Sequence, residues 1–202
     1  MINLAVFISG NGSNLQAIID RWQNKKTAYL PKIVFCNNPD AYGLKRAQKA
    51  GIKTVVISHK DFKKREDFDR EVNNILEENQ IELIALAGFM RLLSSWFVKR
   101  WLGKILNIHP SLLPAFAGLD AQKQALAYGV KVSGCSVFFV DQGIDTGAII
   151  EQSVVEVKTD DNVESLSNRI LEFEHKIFPE ALNKVALGEV ILDNGRVVFK
   201  KN

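Results

Sequence analysis

The sequence predicts an α/β protein built on a mainly parallel, doubly wound sheet, with later antiparallel strands, a long carboxyl-terminal helix and a terminal hairpin. Three observations lead to this reading. Short apolar runs alternate with amphipathic helical segments as far as His109, a glycine-rich loop joins the first strand to the first helix, and the pattern then changes to longer strands and one long helix.

In order, Asn3 to Ile8 reads as a buried strand, Gly10-Asn11-Gly12-Ser13-Asn14 as a loop and Leu15 to Trp22 as a helix with apolar residues at helical spacing. The unit repeats with strand Ile33 to Cys36, helix Leu44 to Ala50, strand Thr54 to Ile57, helix Arg65 to Glu78 and strand Leu83 to Leu86. A short helix, Ser94 to Trp101, leads into strand Ile105 to His109. Val132 to Val140 and Ala148 to Val157 read as longer strands around a turn at Asp145, and Val163 to Leu187 as a long helix. Val190 to Lys200 reads as a hairpin around Asp193-Asn194-Gly195. With right-handed crossovers, ligands bind beyond the carboxyl ends of the parallel strands, so Ser9 to Asn14, Gly88 to Leu93 and Asn107 to His109 are expected along one edge.

The 202 residues fit a single domain, 1–202, and a hydrophobic share of 47% is ample for a buried core. A net charge of +3, with Lys and Arg scattered among Asp and Glu, implies no nucleic-acid partner, although a local positive patch can attract an anionic small substrate. Met1 to Ile8 lacks a basic lead, and no window approaches the ~20 apolar residues of a membrane span. A soluble cytoplasmic protein without a membrane partner is expected. Cys36 and Cys135 show no CxxC spacing and read as small buried hydrophobes.

The most informative residues close the strand at Ile105 to His109. Its period of two turns Asn107 and His109 to the same side, placing an amide donor beside an imidazole. That pair suits a tetrahedral oxyanion, since the amide can donate to it and the imidazole can donate or exchange a proton near neutral pH. Asp145 lies where a carboxylate can reach back to the ring and favour its charged form. Gly10 to Asn14, between strand and helix, suits an anion such as a phosphate. A dinucleotide is disfavoured, because Leu15 stands at the third glycine of GxGxxG and Cys36-Asn37-Asn38 offers no acid for a ribose.

Asn107-Ile108-His109-Pro110-Ser111-Leu112-Leu113-Pro114, Gly118-Leu119 and Val140-Asp141-Gln142-Gly143-Ile144-Asp145-Thr146-Gly147 together resemble the signature of the folate-dependent formyltransferases. Ser9-Gly10-Asn11-Gly12-Ser13-Asn14-Leu15-Gln16 and Ala87-Gly88-Phe89-Met90-Arg91-Leu92-Leu93 narrow the resemblance to the branch that acts on phosphoribosylglycinamide in purine biosynthesis. It runs from Asn3 to about Pro179. The resemblance implies a Rossmann-like formyltransferase fold and transfer of a formyl group from the co-substrate 10-formyltetrahydrofolate to the glycinamide amine. It also implies small-molecule partners, no metal, and a monomer or homodimer.

Carried over residue by residue, the resemblance makes Asn107, His109 and Asp145 catalytic and assigns the substrate phosphate to Gly12, Ser13 and Asn14. Arg65, Met90, Arg91, Leu92, Leu93 and Asn107 would bind folate, with Arg65 at an anionic end, and Glu174 would hold the substrate amine region. Phe138 stands where the family usually has a histidine, and Ala117 and Ala148 where it has prolines. His109 is thus the only imidazole expected at the centre, and His59 has no assigned role. No Ser or Cys forms a recognisable nucleophile arrangement with His109, so direct attack by the amine is expected.

Sibling enzymes that share the Asn, His, Asp set are the first alternative: a formyltetrahydrofolate hydrolase, or a tRNA or amino-sugar formyltransferase. The tRNA enzyme needs a sizeable carboxyl-terminal domain and the hydrolase usually carries a regulatory domain in front, and this chain is expected to have room for neither. A non-catalytic nucleotide- or folate-binding module is the alternative of another class, and it predicts thermal stabilisation by ligand without turnover.

Overall fold

Strand β1 (Ile2–Ile8) runs through the middle of the sheet with both faces covered. Leu4, Val6 and Ile8 enter one hydrophobic layer, Ala5 and Phe7 the other, and all five are fully buried. Burial on both sides is why this segment reads as an unbroken apolar run, and each large side chain contributes about 1.5–3 kcal/mol. The structure, a computed structural model, describes residues 1–24 and 27–200.

Seven strands lie in the order β3-β2-β1-β4-β5-β6-β7. β2 (Tyr29–Cys36), β3 (Lys53–Val56), β4 (Leu83–Leu86) and β5 (Ile105–His109) continue the parallel pairing begun at β1. β6 (Val132–Phe139) and β7 (Ile149–Glu156) are each antiparallel to the strand before. Helices α1 (Ser13–Asn24), α2 (Gly43–Lys49) and α6 (Val163–Ala186) cover one face, and α3 (Arg65–Glu78) and α4 (Ser95–Arg100) cover the other. A separate hairpin, β8 (Val190–Asp193) and β9 (Arg196–Phe199), turns at Asn194 and Gly195, whose φ of +46° and +76° suit a type I′ turn.

The elements follow the predicted pattern, with α1 starting at Ser13 inside the predicted loop, an added 3-10 turn at His59–Asp61, and differences at β2 and α5. β2 begins at Tyr29 rather than Ile33, and its register against β1 slips between Leu4 and Ala5, beside Pro31, which has no N–H for the ladder. The pattern suggested no helix α5 (Ala121–Tyr128). It buries only Ala121 and Ala125, too thin an apolar stripe to show a period.

Chain order reverses at β1 and β4, because the chain steps outward through β2 and β3 before returning. The loops that follow β1 and β4 are therefore neighbours at a switch point, where ligands bind in such sheets. Ser9 ties them together. Its N–H donates to the Gly88 carbonyl at 3.1 Å and its Oγ accepts from the Met90 N–H at 2.8 Å.

Beyond Ser9, the loop packs directly on the start of α2. Gly12 has φ +73°, a Cβ added there would lie 2.8 Å from Gly43 Cα, and the Gly43 N–H donates to the Gly10 carbonyl at 3.0 Å. Gly12→Ala combines left-handed strain with a backbone clash and should cost about 2–4 kcal/mol of stability. Denaturant titration checks this, and a midpoint equal to wild type would mean that the loop and the start of α2 are not in fixed contact.

Candidate active site

The site is built first from β5. Ile105, Asn107 and His109 alternate with Leu106 and Ile108, which fill the core on the α6 side, so Asn107 and His109 share the opposite face. Across the antiparallel pair, Asn107 faces Phe138 and His109 faces Ser136. Phe138 is 2% exposed and gives Asn107 an apolar neighbour. Among the described residues, no protein group hydrogen-bonds the Asn107 side chain.

His109 is 6% exposed and its ring meets an acceptor at each nitrogen. Nε2 lies 2.9 Å from the Phe116 carbonyl and Nδ1 lies 3.3 Å from Asp145 Oδ2. A carbonyl and a carboxylate can only accept. These two contacts fix the plane of the ring from both ends. Asp145 Oδ2 also accepts the Gly118 N–H at 2.9 Å, so one loop, 110–120, touches both the acid and the imidazole.

Asp145 is delivered by the β6–β7 connection. Val140 N–H donates to the Ile105 carbonyl at 2.9 Å near the start of β5, and the loop then folds back along that strand to reach His109 at its end. Gly147 permits the return, since a Cβ there would fall 1.7 Å from the Phe139 carbonyl oxygen. Asp141 Oδ1 closes the turn by accepting from Gly143 N–H at 3.0 Å and from the Thr146 hydroxyl at 2.7 Å. Asp145 itself has φ +53°, a conformation that Asp tolerates better than most residues.

The loop that carries Phe116 is anchored at Ser111 and Leu113. Ser136 Oγ donates to the Ser111 carbonyl at 2.7 Å and accepts from Leu113 N–H at 3.0 Å and Gln152 Nε2 at 2.8 Å, and Gln152 also donates to the Leu113 carbonyl. Sequence reasoning missed Ser136, Gln152 and the Phe116 carbonyl. The one available signal was the position of Ser136 two residues from Phe138 on an alternating strand.

The phosphate candidates lie at the start of α1, where the N–H groups of Ser13 and Asn14 have no partner within the helix. Arg46 braces this loop, with Nε donating to the Asn11 carbonyl at 2.9 Å and Nη1 to Gln16 Oε1 at 3.3 Å. The Asn14 side chain turns inward, its Nδ2 donating to Glu174 Oε2 at 2.7 Å, and both residues are buried. Two predicted subsites are thus joined by one hydrogen bond. Burial pushes the Glu174 carboxyl up, against the opposing effect of the Asn14 bond. Burial, and then the Glu174 charge, push the Cys135 thiol up to about 12, which keeps it protonated and inert at neutral pH.

In the segment after β4, Met90 and Leu92 are exposed, while Arg91 lies over the Phe68 ring, 4.6 Å from its centroid. Arg65 stands exposed at the start of α3. His59 joins the same edge through Asn37, whose Nδ2 donates to His59 Nδ1 at 3.2 Å while its Oδ1 accepts from the Ser9 hydroxyl at 2.7 Å. A groove of about 670 Å³ passes Ser13, Arg46 and His175 between α1 and α6, but Asn107, His109 and Asp145 are not among its walls. Among the described residues, no three His, Cys, Asp or Glu side chains gather as a metal site requires, and no helix is long and apolar enough to cross a membrane.

A family profile described as formyl transferase matches residues 2–182. A trifunctional purine biosynthetic protein, adenosine-3, of Homo sapiens is 50% identical over 98% of this chain. The chain spans only 20% of that relative's length. A phosphoribosylglycinamide formyltransferase of Escherichia coli is 42% identical over 94% of this chain and 89% of its own. A glycinamide ribonucleotide transformylase of Symbiobacterium toebii has a crystal structure that superposes with a TM-score of 0.96 at 43% identity, covering 100% of this chain and 95% of that one.

Ser136 is fully buried and serves three partners, so Ser136→Ala leaves the Leu113 N–H without its acceptor. It should cost about 1–3 kcal/mol, read as a lower melting temperature. A melting temperature equal to wild type would show that the loop bearing Phe116 does not depend on this hydroxyl.

Proposed function

The chain belongs to the formyl transferase family, and from that premise we propose that it transfers the formyl group of 10-formyltetrahydrofolate to the amine of phosphoribosylglycinamide, a step of de novo purine biosynthesis. The observation that carries this reading is the presence of Asn107 and His109 on one face of β5 with Asp145 against the ring. Relatives named for phosphoribosylglycinamide that match along nearly their whole length favour this acceptor over the sugar or tRNA acceptors of sibling enzymes. We place the enzyme in the cytoplasm, acting on small molecules as a monomer or homodimer.

In this mechanism the glycinamide amine attacks the formyl carbon and the carbonyl oxygen becomes an oxyanion. The Asn107 amide donates to it from one side and the His109 ring from the other. The Phe116 contact, at 2.9 Å, is the tighter of the two on the ring and sets its plane. The Asp145 contact, at 3.3 Å, leaves the Nδ1 proton free to be shared with the oxyanion or with a water that Asp145 holds. That proton then moves to the folate nitrogen as its bond to the formyl carbon breaks, and the ring recovers one from the attacking amine nitrogen, directly or through the water at Asp145, so the step needs no covalent intermediate on the protein.

Binding follows the three neighbouring loops. Gly12, Ser13 and Asn14 receive the phosphate at the positive end of α1, and Glu174, held by Asn14, lies toward the amine. Arg65 and Met90 to Leu93 receive the folate, whose formyl group then lies against Asn107.

Purified protein mixed with phosphoribosylglycinamide and 10-formyltetrahydrofolate should turn over, as read from folate absorbance. Ligand-induced stabilisation without turnover would instead identify a binding module. Asn107→Ala should fold normally and lose roughly 10²- to 10³-fold in kcat, as removal of one oxyanion donor typically does. Retention of more than about a tenth of the activity would remove Asn107 from the mechanism. Phe138→His puts an imidazole opposite Asn107 but should change kcat by less than about tenfold, because the proton work rests on His109. A large gain would show that the centre needs a second imidazole.

A further inference from the structure

The segment 88–93 has its entrance fixed by Ser9, and its exit is fixed by a carboxylate that no sequence signal singled out. Asp69, on α3, is fully buried, and its Oδ2 accepts the backbone N–H of Ser94 at 2.5 Å. Ser94 is the N-cap of α4, its hydroxyl accepting from Phe97 N–H at 3.3 Å, so Asp69 acts where the segment becomes helix. Among the described residues, the other oxygen of Asp69, Oδ1, has no hydrogen-bond partner, and neither has the buried Nε of Arg91. The Arg91 guanidinium rests on Phe68, the residue before Asp69, and Arg65 lies one turn earlier on the same helix. Both arginines act on Asp69 as neighbouring positive charges.

A buried carboxylate whose hydrogen bonds all come from Ser94 is costly, and the apolar cluster that the preceding Phe68 enters shows that this helix face otherwise packs hydrophobic side chains. The charge therefore needs another reason. Two guanidiniums at one rim repel each other, and a carboxylate beneath them offsets that repulsion most strongly where water is excluded.

We propose that Asp69 is a positioning residue for the co-substrate pocket: it pins the Ser94 amide and holds Arg91 and Arg65 at the rim. The Arg91–Leu93 backbone is then presented to a flat heterocycle, and the two guanidiniums to its anionic tail. The proposal rests on the folate reading of this segment given above. It assigns Asp69 no contact with the reacting atoms.

Asp69→Asn keeps the shape and an oxygen for the Ser94 N–H while removing the charge. Burial, the largest influence on Asp69, holds its carboxyl above the usual range. A carboxyl raised in the folded state costs stability at pH values above its unfolded value, so the amide should leave the melting temperature unchanged or higher at neutral pH. Affinity should move the other way. The Kd for tetrahydrofolate, measured by calorimetry, should weaken about tenfold, with KM for phosphoribosylglycinamide within about twofold and kcat little changed. Asp69→Ala should show the same folate defect and a lower melting temperature.

Unchanged tetrahydrofolate affinity in Asp69→Asn would overturn the proposal alone. A lower melting temperature with equal losses for both substrates would show a merely structural carboxylate and would also overturn it. Failure of the wild-type protein to bind tetrahydrofolate would overturn the folate reading and the positioning role together.

Discussion

The arrangement around the His109 ring is the constraint on which the rest of the site depends. One nitrogen faces the Phe116 carbonyl and the other faces Asp145, and neither acceptor can exchange roles with the ring. An imidazole so placed is oriented by the same two contacts. Each contact comes from a segment outside β5. Phe116 lies on a loop anchored at Ser111 and Leu113 by Ser136 and Gln152, and Asp145 on a loop that closes only because Gly147 lacks a Cβ. Packing errors some distance from the ring would therefore reach the chemistry through these supports.

The fold supplies stability and chemistry from different layers. Apolar side chains on both faces of β1, β2 and β4 hold the sheet, while the carboxyl edge carries a polar network running from His59 through Asn37 and Ser9 to Met90. A second polar line joins Asn14 to Glu174 across α1 and α6. These bonds connect loops rather than fill the core. Their net contribution to stability is modest, about 0.5–1.5 kcal/mol each, but they fix where the three loops stand relative to one another.

Much of this was legible in the sequence. The alternation of strands and helices gave the sheet its expected edge, and the period of two put Asn107 and His109 on one face, as the structure places them. Asp145 reached the ring from a turn that the glycines around it already marked. What was not legible has identifiable causes. The Phe116 carbonyl is a backbone group that every residue possesses, so no side-chain pattern announces it. Asn14 and Glu174 meet only because α1 packs on α6, a contact between distant parts of the chain. Asp69 and Ser136 are small polar residues within regular elements, where exposure is the ordinary expectation and burial depends on what lands on top. Helix α5 escaped because two alanines make too little contrast.

The central claim is that Asp145 and the Phe116 carbonyl together orient the His109 ring for proton transfer at the formyl carbon. Steady-state kinetics of Asp145→Asn tests it most directly. The account predicts a kcat lower by orders of magnitude with little change in the KM of either substrate. A variant that keeps more than about a tenth of the wild-type kcat would contradict it.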